Sequence, residues 1–327
     1  MRTRDPAQVP VPGSGSGSAA GTRAPTLPES AISCRGLTRD YGSGRGLFDL
    51  DLDVRRGEVF GFIGANGAGK TTTIRLLMDL IRPNRGSATV LGLDARRDSL
   101  ALKRRIGYLP GELPRYPGMS AGRVLGLLAG LRGNVEPTAI TGLAERLDLD
   151  LRQRYDDLSH GNKQKVGLVQ AFMHRPDLLL LDEPTLGLDP LMQREFRALV
   201  ADSVASGATV LLSSHVLPEV ELICHRIGLI RAGHLLRVGT LEELRDVRAH
   251  RVEAVCREPG DVDELARLPG VDDPQVVGER VTCTVHGPVG PLLAWLVACG
   301  AEELDSRELS LEEVFLSEFD TGPLDER

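Results

Sequence analysis

The sequence predicts an α/β fold, with buried parallel strands, an inserted helical subdomain and a small α+β domain after them. Three observations predict it. Val59–Ile63, Leu178–Leu181 and Thr209–Leu212 are short continuous apolar runs, each ending abruptly in a polar cluster. Such runs fit strands covered by helices on both faces. Between the first two runs, helical periodicity passes through Val124–Leu131 and Ile140–Leu147. Beyond about residue 247 the pattern changes to short strands alternating with helices.

A chain of 327 residues accommodates one large domain and one small one. Hydrophobic residues at 41% and charged residues at 26% are ordinary for a globular protein that buries a core. A net charge of −7 argues against a broad nucleic-acid-binding surface, so no nucleic-acid partner is expected. The chain has 39 lysines and arginines, but the lysines are only Lys70, Lys103, Lys163 and Lys165, which makes each lysine position informative. The five cysteines are widely spread and contain no CxxC pair. That suggests a reducing compartment, with neither a disulfide framework nor a zinc ribbon. No apolar run approaches the roughly 18 residues that span a bilayer. The N-terminus also lacks the apolar stretch of a secretory signal. The expected location is therefore the cytoplasm, with any membrane role exercised through a partner.

Residues 1–28 carry scattered prolines and the run Gly13-Ser-Gly-Ser-Gly-Ser18, and are expected to be a disordered tail. The main domain is expected over 29–247, with its helical subdomain at about 111–175. A small accessory domain is expected over 248–320. Its strands should be Val252–Cys256 and Val281–Val285, and its helices Asp261–Leu268 and Pro291–Cys299. Leu311, Val314 and Phe315 have helical spacing behind Ser310, a suitable cap. Residues 321–327 complete the chain as a tail.

The segment Gly64-Ala65-Asn66-Gly67-Ala68-Gly69-Lys70-Thr71 follows the first apolar strand and fits the Gly-x-x-x-x-Gly-Lys-Ser/Thr pattern. Gly64, Gly67 and Gly69 permit positive φ and close approach, so that successive backbone N–H groups converge on phosphate oxygens. A helix opening near Lys70 aims its positive end at the same anion, with Thr72 in its first turn. Lys70 can reach the β- and γ-phosphates, and Thr71 can ligate Mg²⁺. A glycine-rich turn that binds nothing would not need a Lys-Thr pair at this point. The second strand ends in Asp182-Glu183-Pro184. Asp182 is expected near Mg²⁺, and Glu183 is expected as the general base that polarises the attacking water. An acidic pair at a strand end is common by itself, but here it follows a phosphate loop.

The segment Leu158-Ser-His-Gly-Asn-Lys-Gln-Lys165 resembles the LSGGQ signature of the ATP-binding subunits of ATP-binding cassette (ABC) transporters. Ser159 follows Lys70 by 89 residues and precedes Asp182 by 23, which is that family's order. The resemblance implies a P-loop NTPase core of the ABC type that binds ATP and Mg²⁺. It implies that Ser159 and Gly161 meet the γ-phosphate held by a second ATPase chain, in a homodimer that sandwiches two nucleotides. It further implies that Tyr41 stacks on adenine, that Asp189 belongs to a loop linking the two sites, and that His215 contacts the γ-phosphate. The stretch Leu309–Leu316 resembles the tail of the drug- and antibiotic-resistance exporters of the daunorubicin-resistance type. Their ATPase chains pair with separate integral membrane permease subunits. The implied function is an ATPase that drives export of drug-like or lipophilic compounds from the cytoplasmic face of the membrane.

The chain departs from the family pattern in three places. Gly111 stands where the Q-loop glutamine is expected, with Glu112 beside it as a candidate substitute. His160 and Asn162 replace Gly and Gln of the signature. His225 stands where relatives often carry Asp, and the sequence suggests no role for it. The competing reading is a non-transport ABC ATPase acting on a ribosome or a nucleic-acid complex. A single cassette, the short interval before the signature and the acidic charge all disfavour it. A chain that binds nucleotide without hydrolysing it is disfavoured by Glu183.

Overall fold

The computed structural model describes residues 29–133, 135–244 and 249–309. The expected tail 1–28, the helical pattern 310–316, the end 321–327 and residues 245–248 at the expected boundary lie outside the described residues. The first elements are β1 (Ser30–Asp40), β2 (Gly46–Arg55), β3 (Val59–Ile63), α1 (Lys70–Leu77), β4 (Arg85–Val90), β5 (Leu93–Asp94), α2 (Ser99–Arg105) and β6 (Ile106–Leu109). Then come α3 (Ala121–Arg132), α4 (Pro137–Arg146), α5 (His160–Phe172), β7 (Leu178–Asp182), α6 (Pro190–Ala205), β8 (Thr209–Ser214) and α7 (Leu217–Glu221). Next come β9 (Arg226–Arg231), β10 (His234–Gly239) and α8 (Leu241–Leu244). The remaining elements are β11 (Ala249–Cys256), α9 (Val262–Ala266), β12 (Val271–Val277), β13 (Arg280–His286), α10 (Gly290–Ala298) and β14 (Ala301–Glu308).

The central sheet has the order β10-β9-β3-β8-β7-β6. All its neighbours are parallel except the β10–β9 pair at one edge. Along β7, Leu178 and Leu180 enter one hydrophobic core, while Leu179 and Leu181 enter the other. Alternate side chains thus go to opposite faces and both faces are covered, which is why the strand reads as an unbroken apolar run. Helices α3 to α6 cover one face, and α1 with the sheet β2-β1-β4-β5 covers the other.

That antiparallel sheet has no counterpart among the sequence expectations. Its signal is nevertheless present in β2, where Leu50, Leu52 and Val54 are buried and Asp49, Asp51 and Asp53 are exposed. In the central sheet, two expected strands are longer than their apolar runs. β7 extends to Asp182 and β8 to Ser214, because Asp182 and Ser213 pair in register and their side chains hydrogen-bond to each other. The last sheet has the order β12-β13-β11-β14 and its own core around Val252, Val281, Leu265 and Leu296. The expected helices here are α9 and α10, differing only at their ends.

All five cysteines are buried free thiols. Burial, reinforced by Asp53, pushes the Cys34 thiol up to about 12. Burial also pushes Cys283 up to about 11.

The join between α3, β6 and α5 is tied by Arg132. Its guanidinium donates to the carbonyls of Lys103 and Ile106 and lies 2.9 Å from His174 Nε2. The same Nε2 lies 3.2 Å from the Ile106 carbonyl, so it faces a donor and an acceptor at once. Burial, together with the arginine charge, holds the His174 pKa down at about 4, against its ordinary 6.5. The unfolded chain therefore binds a proton that the folded chain refuses between these values, and stability falls as pH drops below about 6.5. Replacing His174 by Gln keeps an acceptor for Arg132 and removes the titration. Urea midpoints at about pH 7 and about pH 5 should differ less in that variant than in the parent.

Candidate functional site

The loop after β3 owes its shape to glycine. Gly67 and Gly69 have φ of 83° and 113°, and Gly69 is the left-handed cap of α1. Gly64 serves differently from the expectation of positive φ. A Cβ there would lie 2.3 Å from the Ile230 carbonyl oxygen, so the position is closed to a side chain by close approach to β9. Lys70 is buried at the start of α1. Its ammonium donates to the Gly64 carbonyl at 2.5 Å and lies 3.2 Å from Glu183 Oε1. Residues 65–72 and Glu183 enclose a cavity of about 150 Å³.

The end of β7 supplies the acids. Asp182 is 1% exposed. Its Oδ2 accepts from the Thr71 hydroxyl at 2.7 Å, and its Oδ1 accepts from the Ser213 hydroxyl at 2.5 Å. Glu183 has φ of +49°, a left-handed conformation that a side chain rarely adopts. Its N–H donates to both the hydroxyl and the carbonyl of Ser213, at 3.1 and 3.2 Å. Its Oε2 lies 2.8 Å from His215 Nδ1. Its Oε1 is buried without a hydrogen bond, facing the Lys70 ammonium. Lysine, carboxylate and imidazole thus form a contiguous chain of side chains at the wall of the cavity. An anion entering beside Lys70 would meet backbone N–H groups, an ammonium and a base within reach of a water.

The other expected residues lie apart from this cavity. Tyr41 is 47% exposed and has the Arg39 guanidinium over its ring at 5.0 Å. The Ser159 hydroxyl caps α5 by accepting from Asn162 N–H at 3.2 Å. The Asp189 carboxylate caps α6 by accepting from Met192 N–H at 3.0 Å. Gly161 backs onto the Gly187 carbonyl, where a Cβ would come within 2.4 Å. Glu112 is placed in a different cavity from the phosphate loop. It lines an outer cavity of about 560 Å³ with Arg115, Asp156, His160 and Lys163. His225 acquires a structural account, because its Nδ1 accepts from the N–H of Val59 at 2.9 Å and holds the start of β3.

The ABC transporter family profile matches residues 47–186. The daunorubicin resistance ATP-binding protein DrrA3 of Streptomyces coeruleorubidus is 34% identical over 304 residues, which are 89% of this chain and 96% of that protein. This chain belongs to the ABC transporter ATP-binding family. The probable multidrug ABC transporter ATP-binding protein YbhF of Escherichia coli (strain K12) is 36% identical over 225 residues. That match takes in 67% of this chain and only 39% of YbhF. A solved structure described as the ATP binding subunit of an ABC transporter is 31% identical, with a TM-score of 0.61. It covers 67% of this chain and 92% of its own.

The donor set of this ABC cassette fits Mg²⁺. Thr71 and Asp182 offer one hydroxyl and one carboxylate, both hard oxygens, 2.7 Å apart. Among the described residues no group of three or more His, Cys, Asp or Glu could hold a metal by itself. A cation bound through one carboxylate needs phosphate and water oxygens to complete its shell, which is the habit of Mg²⁺.

Sequence reasoning assigned no role to Ser213 or Gln164. Ser213 was legible only as a polar residue at the end of an apolar run. Gln164 lay inside the signature segment between Lys163 and Lys165, a neighbourhood that reads as a solvated polar stretch and gives no sign of burial. Its amide donates to the carbonyls of Glu183 and Pro184 at 3.0 and 3.1 Å.

Gly111 lies against the acid cluster. A Cβ at this position would fall 2.9 Å from Asp182 Oδ2 and 3.2 Å from its Cγ. Either Asp182 or the loop must then shift, which strains the Thr71–Asp182 contact. Gly111→Ala should therefore raise the Mg²⁺ concentration needed for half-maximal binding of a fluorescent ATP analogue by several-fold. An unchanged Mg²⁺ titration would show that the loop yields freely.

Proposed function

We propose that this chain is the ATP-binding and ATP-hydrolysing subunit of an ABC exporter of drug-like or lipophilic compounds. It works as a pair of ATPase chains that drives separate integral membrane permease subunits from the cytoplasmic face. The observation that carries this reading is the Lys70–Glu183–His215 chain at the wall of the phosphate-loop cavity, with Asp182 and Thr71 beside it. A solely nucleotide-holding protein has no use for a carboxylate held between an ammonium and an imidazole. Among the described residues no helix is long and apolar enough to cross a membrane, so on this reading the permeation path belongs to the partner. The names of DrrA3 and YbhF, a daunorubicin resistance protein and a probable multidrug transporter component, support the exporter branch.

The mechanism follows from side chains in place. Residues 64–69 cradle the phosphates with backbone N–H groups, and Lys70 leaves its internal partners to face the β- and γ-phosphate oxygens. Release of Glu183 Oε1 from the ammonium frees a carboxylate to accept a proton from the attacking water. His215 holds the other oxygen of that carboxylate and orients it. Water oxygen bonds to the γ-phosphorus as the bond to the bridging oxygen breaks, giving ADP and inorganic phosphate. Magnesium, when bound, would be held by Thr71 and Asp182 and would neutralise phosphate charge. Ser159 and Gly161 of α5 cap the nucleotide of the opposite chain, Tyr41 stacks on adenine and Asp189 joins the two sites.

Glu183→Gln keeps the size of the side chain and removes the base. Phosphate release should fall by a factor on the order of 10² to 10⁴. The variant should also accumulate as a nucleotide-bound dimer in size-exclusion chromatography with Mg-ATP, and normal turnover would refute the assignment. Lys70→Ala removes a charged donor to phosphate. A fluorescent ATP analogue should then bind about 10- to 100-fold more weakly.

A further inference from the structure

We infer that Gln164 is a positioning residue that ties the signature helix to the backbone of Glu183, so that engagement at the start of α5 sets the base at the other end of the tie. The inference rests on the ATPase reading above and goes beyond it, because it names a residue that links the two nucleotides of a dimer.

The argument starts from burial. Gln164 is 3% exposed in the middle of α5. A buried primary amide must satisfy two N–H donors. Both partners here are backbone carbonyls of one turn, Glu183 and Pro184, at 3.0 and 3.1 Å. That turn is unusual, because Glu183 sits at φ +49°. Such a backbone persists only when its surroundings over-determine it. Two elements do so. Ser213 on β8 holds the Glu183 N–H, and Gln164 on α5 holds the Glu183 carbonyl. The base is thus gripped from both sides, once from the strand that also holds Asp182 and once from a helix.

The helix matters because of what it carries at its start. Gln164 is five residues beyond Ser159, the α5 cap. At about 1.5 Å rise per residue, the cap and the tie lie on one rigid segment of under two turns. Gly161, between them, is packed on the carbonyl of Gly187 in the loop that follows Glu183. A push or rotation of the α5 start therefore cannot be absorbed locally and is passed to residues 183–187. On the dimer reading, Ser159 and Gly161 face the nucleotide of the opposite chain. The nucleotide bound by one chain then influences the base of the other through Gln164.

A role in packing alone predicts loss of stability with catalysis falling in step. A tie predicts a separation of effects. Gln164→Met preserves length and volume and deletes both donors. With the full-length chain, together with its membrane partner if turnover requires it, kcat should fall about tenfold. The affinity for a fluorescent ATP analogue should stay within about twofold, and the Hill coefficient for ATP should drop towards one. Hydrogen–deuterium exchange in Mg-ATP should rise in residues 183–187 of the variant and stay unchanged in residues 209–214. Gln164→Asn, whose amide stops one bond short, should behave alike and serves if the methionine variant does not fold. Unchanged kcat and Hill coefficient overturn the inference, as does unchanged exchange at 183–187. A fall in nucleotide affinity equal to the fall in kcat also overturns it. Wild-type phosphate release judges the ATPase reading separately, and the exchange comparison judges the tie even where turnover is absent.

Discussion

The Asp182 carboxylate is the point on which the rest of the site depends. It is almost fully buried at the end of a central strand, and both its oxygens are taken by hydroxyls, Thr71 on one side and Ser213 on the other. A buried charge without such partners would be costly. The two hydroxyls come from α1 and β8, which flank β7 in space, so satisfying this one carboxylate fixes the phosphate loop against the strand ends. The parallel register then does the remainder. Asp182 pairs with Ser213, and Glu183, the residue after Asp182, stands at the cavity wall.

The pairing of side chains in the site couples recognition to chemistry. Lys70 is occupied by the Gly64 carbonyl and by Glu183, and Glu183 is shared between Lys70 and His215. Each of these charges has a partner that a polyphosphate would compete for. On the proposed reading, the Glu183 carboxylate is restrained until an anion draws the ammonium away. The left-handed backbone at Glu183 belongs to the same arrangement, since it directs the carboxylate back over the loop instead of along the strand.

Much of this was legible in the sequence. The strand cores were visible because Leu178 to Leu181 bury both faces and leave no polar alternation. The phosphate loop was visible because glycine spacing and a scarce lysine coincide. Other features depend on tertiary contact and leave no local trace. Gly64 was read as permitting positive φ and close approach to phosphate, whereas the contact that closes it to a side chain is a carbonyl from β9, more than 160 residues away in sequence. Gly111 looked like a lost side chain, and in space it is the surface against which Asp182 rests. Glu112 lines a cavity with Gly111. The sheet β2-β1-β4-β5 carried alternation in β2 but no motif to draw notice. His225 gained its explanation from the Val59 N–H, a partner no periodicity could reveal.

The sulfur chemistry of the chain bears on how its motions could be observed. Every cysteine is interior, and burial raises the Cys34 and Cys283 thiols far above neutrality, so little nucleophilic thiolate is offered to solvent. The native chain is thus already a quiet background for maleimide or nitroxide labelling. One cysteine introduced on an outward-facing loop could carry a spectroscopic reporter without first stripping the interior of its own sulfur atoms.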